Sequence, residues 1–448
     1  MTGATLFLLA SSALPQVADA GPRLDLLSVL RVEDPARRER SLRDLIRRAK
    51  RSLPEWRELL AKLAQPPLPI ADLETGRVLE RTLRLWTGKK TGILATKVGI
   101  YLPEAYETQR RLPLLLASHG TGGTSAWQLG RWRRTAASIP MIVLAATEQG
   151  EDGGYRFSEQ ERQTQISLLR WALLHLSVDP DRVFLTGASR GGHLVWDVGT
   201  RHPDRWAGLV PCIGGPYAAS HHGRNNLRLI ENLVDMPIRD LQGEKDDPGL
   251  LWNLRYAFRR LAELGARDAE LLTFPELGHG YRQDAVDWPE FFGSCRRDPT
   301  PSRIRFSAVR LGEARCHWIR ILGFDRKVKS IVRMPVPAGW NRMKEEARRH
   351  YVLDAAYERT VHLKARLEGP EDNRKLIIQS RNVKRVRVQL PLLLVPGALE
   401  SKGPVLLLDW NGRRRRIRLK PNLRLLLSDY CQRLDLRSAP VVSSDLRL

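Results

Sequence analysis

The sequence predicts an α/β chain: a doubly wound, mostly parallel sheet, followed by a smaller all-β domain of sandwich-like build. Three observations predict it. Between about residues 76 and 295, near-continuous apolar strands alternate with helical stretches, the pattern of a sheet covered on both faces. After CRRDPTPSR at 295–303 the helices stop, and short alternating runs separated by turns take over, as in an all-β domain. Third, VFLTGASRGGHL at 183–194 passes from an apolar strand through glycines into a helix-like run, with one serine at the junction.

The first 70 residues come before this pattern. ATLFLLASSALP at 4–15 is a short apolar run, and QVADA ends with Ala18 and Ala20 in small-x-small spacing. That predicts a signal peptide over 1–20 and export to the periplasm or beyond. The run lacks a basic lead, so a buried N-terminal helix of a cytoplasmic protein is the alternative. Over 21–70, PARRERSLRDLIRRAKRS and LPEWRELLAKLAQ carry apolar residues at three- and four-residue spacings, which predicts helices packed on the body. PPLP ends them.

The α/β domain is placed at 71–298. RVLERTLRLWT and TKVGIYLP, joined by GKKTG, read as an antiparallel pair at the sheet edge. Six more strands follow: LPLLLASHG, PMIVLAAT, DRVFLTGAS, WAGLVPCIGG, MPIRDLQGEKD and AELLTFPELGHG. The β-rich domain is placed at 301–435, and the tail at 436–448 is expected to be loose.

Composition narrows the classes. A hydrophobic fraction of 42% and 12 Trp in 448 residues argue for packed cores rather than disorder. No stretch reaches the roughly 20 apolar residues of a membrane-spanning helix. Cys212, Cys295, Cys316 and Cys431 form no C-x-x-C pair, against a zinc or redox motif. A Cys295–Cys316 disulfide across the domain junction and free buried thiols both stay open. The net charge of +24 is uneven: residues 301–448 hold 33 Lys and Arg against 14 Asp and Glu. The preferred reading is arginine on solvated strand faces. The other is a surface for an anionic polymer.

The chemistry centres on Gly187-Ala188-Ser189-Arg190-Gly191, a G-x-S-x-G between strand and helix. Glycines there permit a strained turn that lifts the Ser189 hydroxyl above the sheet. A serine needs a base to become a nucleophile. His279, in GHGY after the last strand, titrates near neutrality and suits that role. Asp246, with Asp247 as the alternative, follows the preceding strand and would hold the imidazole tautomer. His119-Gly120-Thr121-Gly122-Gly123 ends an earlier strand without the Lys-Ser/Thr of a nucleotide loop. It offers the N–H of Thr121 or Gly120 to an oxyanion, and Arg190 N–H is the second donor.

With these motifs the chain resembles the α/β-hydrolase superfamily over about residues 75–295, in the style of bacterial esterases, dienelactone hydrolases and prolyl-oligopeptidase-like proteins. The resemblance implies a Ser189–Asp246–His279 triad, an acyl-enzyme, an ester substrate and no metal or organic cofactor. Two other functions stay open: a serine peptidase, and an anionic-polymer-binding protein with a vestigial hydrolase. Prolyl oligopeptidases carry a large propeller before the hydrolase, whereas about 75 residues precede it here, which favours the esterase. Ala188 and Arg190 stand where relatives often carry His before the nucleophile and Met or Tyr after it. A cation at a helix N-terminus opposes the helix dipole, so Arg190 is expected to meet a nearby carboxylate or an acidic substrate. His193 is read as a packing residue, and Trp127, Trp132 and Trp196 as core or pocket wall. His221 and His222 lack the carboxylate spacing of a metal site.

Overall fold

The computed structural model describes residues 20–70, 73–147, 154–217, 225–332, 336–370, 373–399 and 403–448. The predicted signal peptide lies outside them except for Ala20, and His221 and His222 lie outside altogether.

Three helices open the chain: α1 (Ala20–Leu30), α2 (Pro35–Ala49) and α3 (Leu53–Lys62). Asp34 caps α2 by accepting from the N–H groups of Ala36 and Arg37, and Ser52 and Glu55 form a reciprocal capping box on α3. Such caps satisfy donors that a helix start leaves without acceptors. Leu42, Leu45, Trp56 and Leu60 point inward and are buried.

The central sheet has eight strands: β1 (Val78–Trp86), β2 (Ile93–Tyr101), β3 (Leu112–Ser118), β4 (Ile142–Ala146), β5 (Val178–Ala188), β6 (Gly208–Cys212), β7 (Ile238–Gly243) and β8 (Ala269–Phe274). Their order is β1-β2-β4-β3-β5-β6-β7-β8. β2 runs antiparallel to both its neighbours, and every pair from β4 to β8 is parallel. Thus GKKTG makes an antiparallel edge, as the sequence predicts. Strands β3, β4 and β6 are buried at every residue, because helices cover both faces. These are α4 (Ser125–Ser138), α5 (Glu159–His175), α6 (Arg190–Arg201), α7 (Pro248–Glu263) and α8 (Trp288–Ser294).

The C-terminal part adds β9 (Arg303–Ala308), β10 (Arg315–Cys316), β11 (Ile319–Phe324), β12 (Val361–Glu368), β13 (Lys375–Arg381), β14 (Val383–Pro391), β15 (Val405–Trp410), β16 (Arg413–Arg418), β17 (Lys420–Pro421) and β18 (Pro440–Arg447). They form two five-stranded sheets, β10-β11-β14-β18-β17 and β16-β15-β13-β12-β9. Leu363, Leu376 and Ile378 of one sheet and Val386, Val388 and Val442 of the other enter one core. Two helices join them, α9 (Glu345–Glu358) and α10 (Leu423–Arg433); the sequence reading placed no helices there.

The tail departs from expectation. Rather than being loose, its residues form β18, paired along β14 from Arg385↔Arg447 to Pro391↔Pro440. Val441, Val442 and Leu446 are buried, and Arg387 pairs with Asp445 at 2.5 Å. A strand that covers another's open backbone edge gains hydrogen bonds and removes an aggregation hazard.

All four cysteines are buried and free, so Cys295 and Cys316 do not form the disulfide that the sequence left open. Burial pushes the Cys295 thiol up to about 11 and the Cys316 thiol well above its ordinary range. No helix among the described residues is long and apolar enough to cross a membrane.

Buried ions join the sheet body to the C-terminal part. Asp197 on α6 binds Arg201 at 2.8 Å and Arg162 at 3.2 Å, and Glu313 accepts from the same two arginines at 2.5 and 3.2 Å. Asp204 pairs with Arg433 at 2.6 Å, and Arg297 bridges Asp181 and Asp435 at 2.8 and 2.5 Å. Burial opposes the charges of Asp197 and Glu313, yet the two arginines hold both carboxyls down at about 2.

Candidate active site

Ser189 stands between the last residue of β5 and the first of α6, at φ 56° and ψ −113°. A side chain at positive φ is strained, and the surrounding backbone enforces it. The Ser189 N–H donates to Cys212 O at 2.9 Å, while Ser189 O accepts from His193 N at 3.0 Å. The glycines are required by close approach. A Cβ on Gly187 would lie 2.5 Å from the Gly191 carbonyl, and one on Gly191 would lie 2.3 Å from Ser118 O.

The loops after β7 and β8 meet at the same end of the sheet. His279 Nε2 lies 2.8 Å from Ser189 Oγ, and its Nδ1 lies 2.8 Å from Asp246 Oδ2. An Nδ1–H donating to the carboxylate leaves the Nε2 lone pair facing the serine hydroxyl. Asp246 also accepts from the Asp247 N–H and from Gln242 Nε2, both at 2.8 Å. Burial would raise this carboxyl, but hydrogen bonds from His279, Asp247 and Gln242 outweigh it and hold it below its ordinary value. Asp247 instead caps α7, its Oδ1 accepting from Leu250 N at 2.7 Å.

The third group is the loop after β3. Gly120 borders the nucleophile, since a Cβ there would lie 3.6 Å from Ser189 Cβ and 3.4 Å from Ala188 O. Its carbonyl closes a turn with Gly123 N at 3.0 Å and meets Nδ1 of the fully buried His119 at 2.7 Å. Thr121 follows in this turn and is exposed. Arg190 opens α6, where helical N–H groups point toward the N-terminal end.

The Arg190 side chain turns away into the protein. Its Nη2 lies 2.8 Å from Glu161 Oε1, with the two side chains 0% and 5% exposed. The same Glu161 completes the capping box of α5, accepting from Ser158 N and Oγ at 2.8 Å. So the cation beside the nucleophile has a carboxylate partner, one of the two expectations set for it. The sequence reading did not single out Glu161, although S-x-x-E at 158–161 before an apolar run was visible as a capping box.

His193 packs as predicted. Its Nδ1 lies 2.7 Å from Gly215 O, its ring faces Tyr217 at 5.2 Å, and burial lowers its pKa. Trp132 and Trp196 are fully buried. Trp127, expected in the core or a pocket wall, is instead 50% exposed and lies beside Arg131. Among the described residues no cluster of His, Cys, Asp and Glu could hold a metal ion.

Comparison with known proteins gives partial matches. The Esterase family model matches residues 94–219, which include the Gly120 loop, β5 and the Ser189 turn. The sheet and its helices have the build of an α/β-hydrolase fold. Poly(3-hydroxyalkanoate) depolymerase C of Paucimonas lemoignei is 26% identical over 117 residues, 23% of this chain and 28% of its own length. Among solved structures, a thermostable esterase is 20% identical with a TM-score of 0.39, covering 49% of this chain and 63% of its own. Esterase 2 of Thermogutta terrifontis, phosphonylated by cyclosarin, is 16% identical with a TM-score of 0.38, covering 50% and 94%. The chain therefore spans well under two thirds of the depolymerase's length.

Proposed function

We propose that this α/β-hydrolase is a serine esterase that cleaves carboxylic esters through an acyl-enzyme. The observation that carries the reading is the unbroken hydrogen-bonded chain Ser189–His279–Asp246, held on a strained turn. In this reading Ser189 Oγ attacks the ester carbonyl while His279 Nε2 takes its proton. Asp246 stabilises the imidazolium that forms. The N–H groups of Arg190 and of Gly120 or Thr121 face the developing oxyanion. His279 then gives its proton to the departing alkoxide, and water, activated by the same imidazole, releases the acid. These steps use only groups of this chain.

The His279 side chain is 54% exposed, so the reacting atoms sit near open solvent. This supports a bulky or polymeric ester. The partial likeness to a poly(3-hydroxyalkanoate) depolymerase makes 3-hydroxyacyl esters the first substrates to test.

A fluorophosphonate probe applied to wild type and Ser189→Ala tests the nucleophile: labelling should vanish in the variant. Equal labelling would refute the assignment. Acyl p-nitrophenyl esters beside peptide p-nitroanilides then test the bond, and faster cleavage of the anilides would favour a peptidase.

A further inference from the structure

The sheet β16-β15-β13-β12-β9 has one apolar face and one charged face. Its inward residues Leu363, Ala365, Leu376, Ile378, Leu406 and Leu408 are buried. Strand alternation turns the intervening residues outward. On β12 and β9 these are Lys364 opposite Arg305 and Arg366 opposite Arg303. On β13 and β16 they include Lys375, Arg414, Arg416 and Arg418. Among the described residues, the acids at outward positions of these strands are Glu368 and Asp409, held by Arg366 and Arg414 at 3.0 Å. Like charges directly opposite on neighbouring strands oppose pairing, and a face shaped for solubility alone intersperses both signs.

At its β9 edge the face runs into a cavity of about 600 Å³ between the two parts of the chain. Arg303, Arg305, Lys364 and Arg366 line it from the sheet, and Arg267 lines it from the hydrolase. Ile377 contributes apolar surface, and Gln379 adds an amide. Two acids also line it: Asp235, and Asp268, which is paired with Arg239 at 2.5 Å. No acidic partner is placed on Arg267, Arg303, Arg305 or Lys364 among the described residues. Met236 and Pro237, at the start of β7, are also in the wall. The cavity thus opens at the opposite end of the sheet from Ser189, about 17 Å away by the length of β7 alone.

We propose that this face and its cavity bind an anionic polysaccharide: one or two sugar units seat in the cavity, and the chain continues across the strands. The face is about 19 Å wide over five strands. Among the described residues no Trp, Tyr or Phe of these five strands faces outward, Trp410 being buried, whereas single-stranded nucleic acid is held by stacking on aromatic rings. A discrete cavity suits a chain unit better than a membrane surface. The proposal concerns an anchoring site remote from Ser189 and does not depend on the esterase reading.

The test uses the full chain carrying Ser189→Ala, so that binding is read without turnover. Fluorescence anisotropy follows a labelled oligogalacturonate decamer and a heparin-derived decasaccharide, which separate carboxylate from sulfate. A neutral maltodextrin, a 20-base-pair DNA duplex and anionic phosphatidylglycerol vesicles are the comparisons. Arg303→Gln/Arg305→Gln/Lys364→Gln should weaken binding of at least one acidic saccharide more than tenfold at 50 mM salt, with a shallower salt dependence. Arg37→Gln/Arg40→Gln/Arg43→Gln, which removes three exposed charges from α2, should change it less than threefold. Equal loss in both variants, no loss in the first, or tighter binding of DNA or vesicles than of either saccharide would overturn the proposal.

Discussion

Glu161→Gln isolates the buried pair behind the nucleophile. The substitution keeps the side-chain shape but removes the charge that faces the fully buried Arg190 guanidinium at 2.8 Å. Removing one partner of such a pair costs about 3–5 kcal/mol. The cap adds to this: a Gln amide nitrogen cannot accept from Ser158 N or Arg156 N as Glu161 does, a further loss of about 1 kcal/mol. Glu161→Gln/Arg190→Met removes both charges of this pair, so neither member is left facing an empty place. The double variant should therefore lie within about 2 kcal/mol of wild type. Urea unfolding of wild type, both single variants and the double variant closes a double-mutant cycle. The expected coupling is at least about 2 kcal/mol, and additivity to within about 0.5 kcal/mol would refute the reasoning. Activity gives an independent check. Arg190→Met keeps the backbone N–H, so kcat/KM on neutral esters should fall less than tenfold. Anionic esters should fare no worse, because the side chain is engaged by Glu161. A selective loss on anionic esters would show instead that Arg190 reads the substrate.

The remaining predictions concern the acid, the turn, the ion network and the thiols. Asp246→Asn should reduce kcat by about 10⁴-fold, whereas Asp247→Ala should cost about 1 kcal/mol of stability as a lost cap and leave kcat nearly intact; the reverse ranking would reassign the acid. Gly191→Ala drives a methyl toward Ser118 O at 2.3 Å, so the purified variant should lose fluorophosphonate labelling or fail to fold, and normal labelling would contradict the turn. The Asp197 and Glu313 carboxyls sit at about 2 in the folded state against ordinary values of 3.8 and 4.5. Their stabilisation, on the order of 2–3 kcal/mol each, is full above about pH 5 and is lost as pH falls toward 2; unfolding free energies that stay flat from pH 6 to 3 would argue against it. Ellman's reagent should find four thiols in denaturant and none in the native protein; two in denaturant would reveal a disulfide.

Much of the fold was legible because strand periodicity and turn chemistry agree locally. The β1–β2 hairpin, the parallel strands and the serine junction all announce themselves within a dozen residues. The candidate triad was legible because each member follows a strand of the same sheet, and parallel strands bring their C-terminal ends together. What escaped the reading depends on distant partners. β18 resembles a loose tail until β14 offers it an edge. α10 carries Leu426, Leu427 and Tyr430 at helical spacing, but the arginine-rich strands before it set the expectation of more strand. Trp127 is exposed because α4 turns that position outward, a rotation that residue type does not reveal. Glu161 lies 29 residues before Arg190, and only folding brings the two together.

The seat of α10 has a consequence for how the chain matures. Arg424 and Ser428 hold Glu39 of α2, Tyr430 OH accepts from Gln65 Nε2, and Cys431 O accepts from Arg170 on α5. One apolar cluster runs from Leu26 through the central sheet to Leu446. The helices synthesised first thus have part of their docking surface only after residue 433 has left the ribosome. Contacts over nearly 400 residues close slowly, which leaves part of the α2 surface uncovered until then. α2 thus emerges long before the helix that seats it, so the nascent chain needs shielding along that stretch, and a C-terminal region expressed alone would lack part of its own floor.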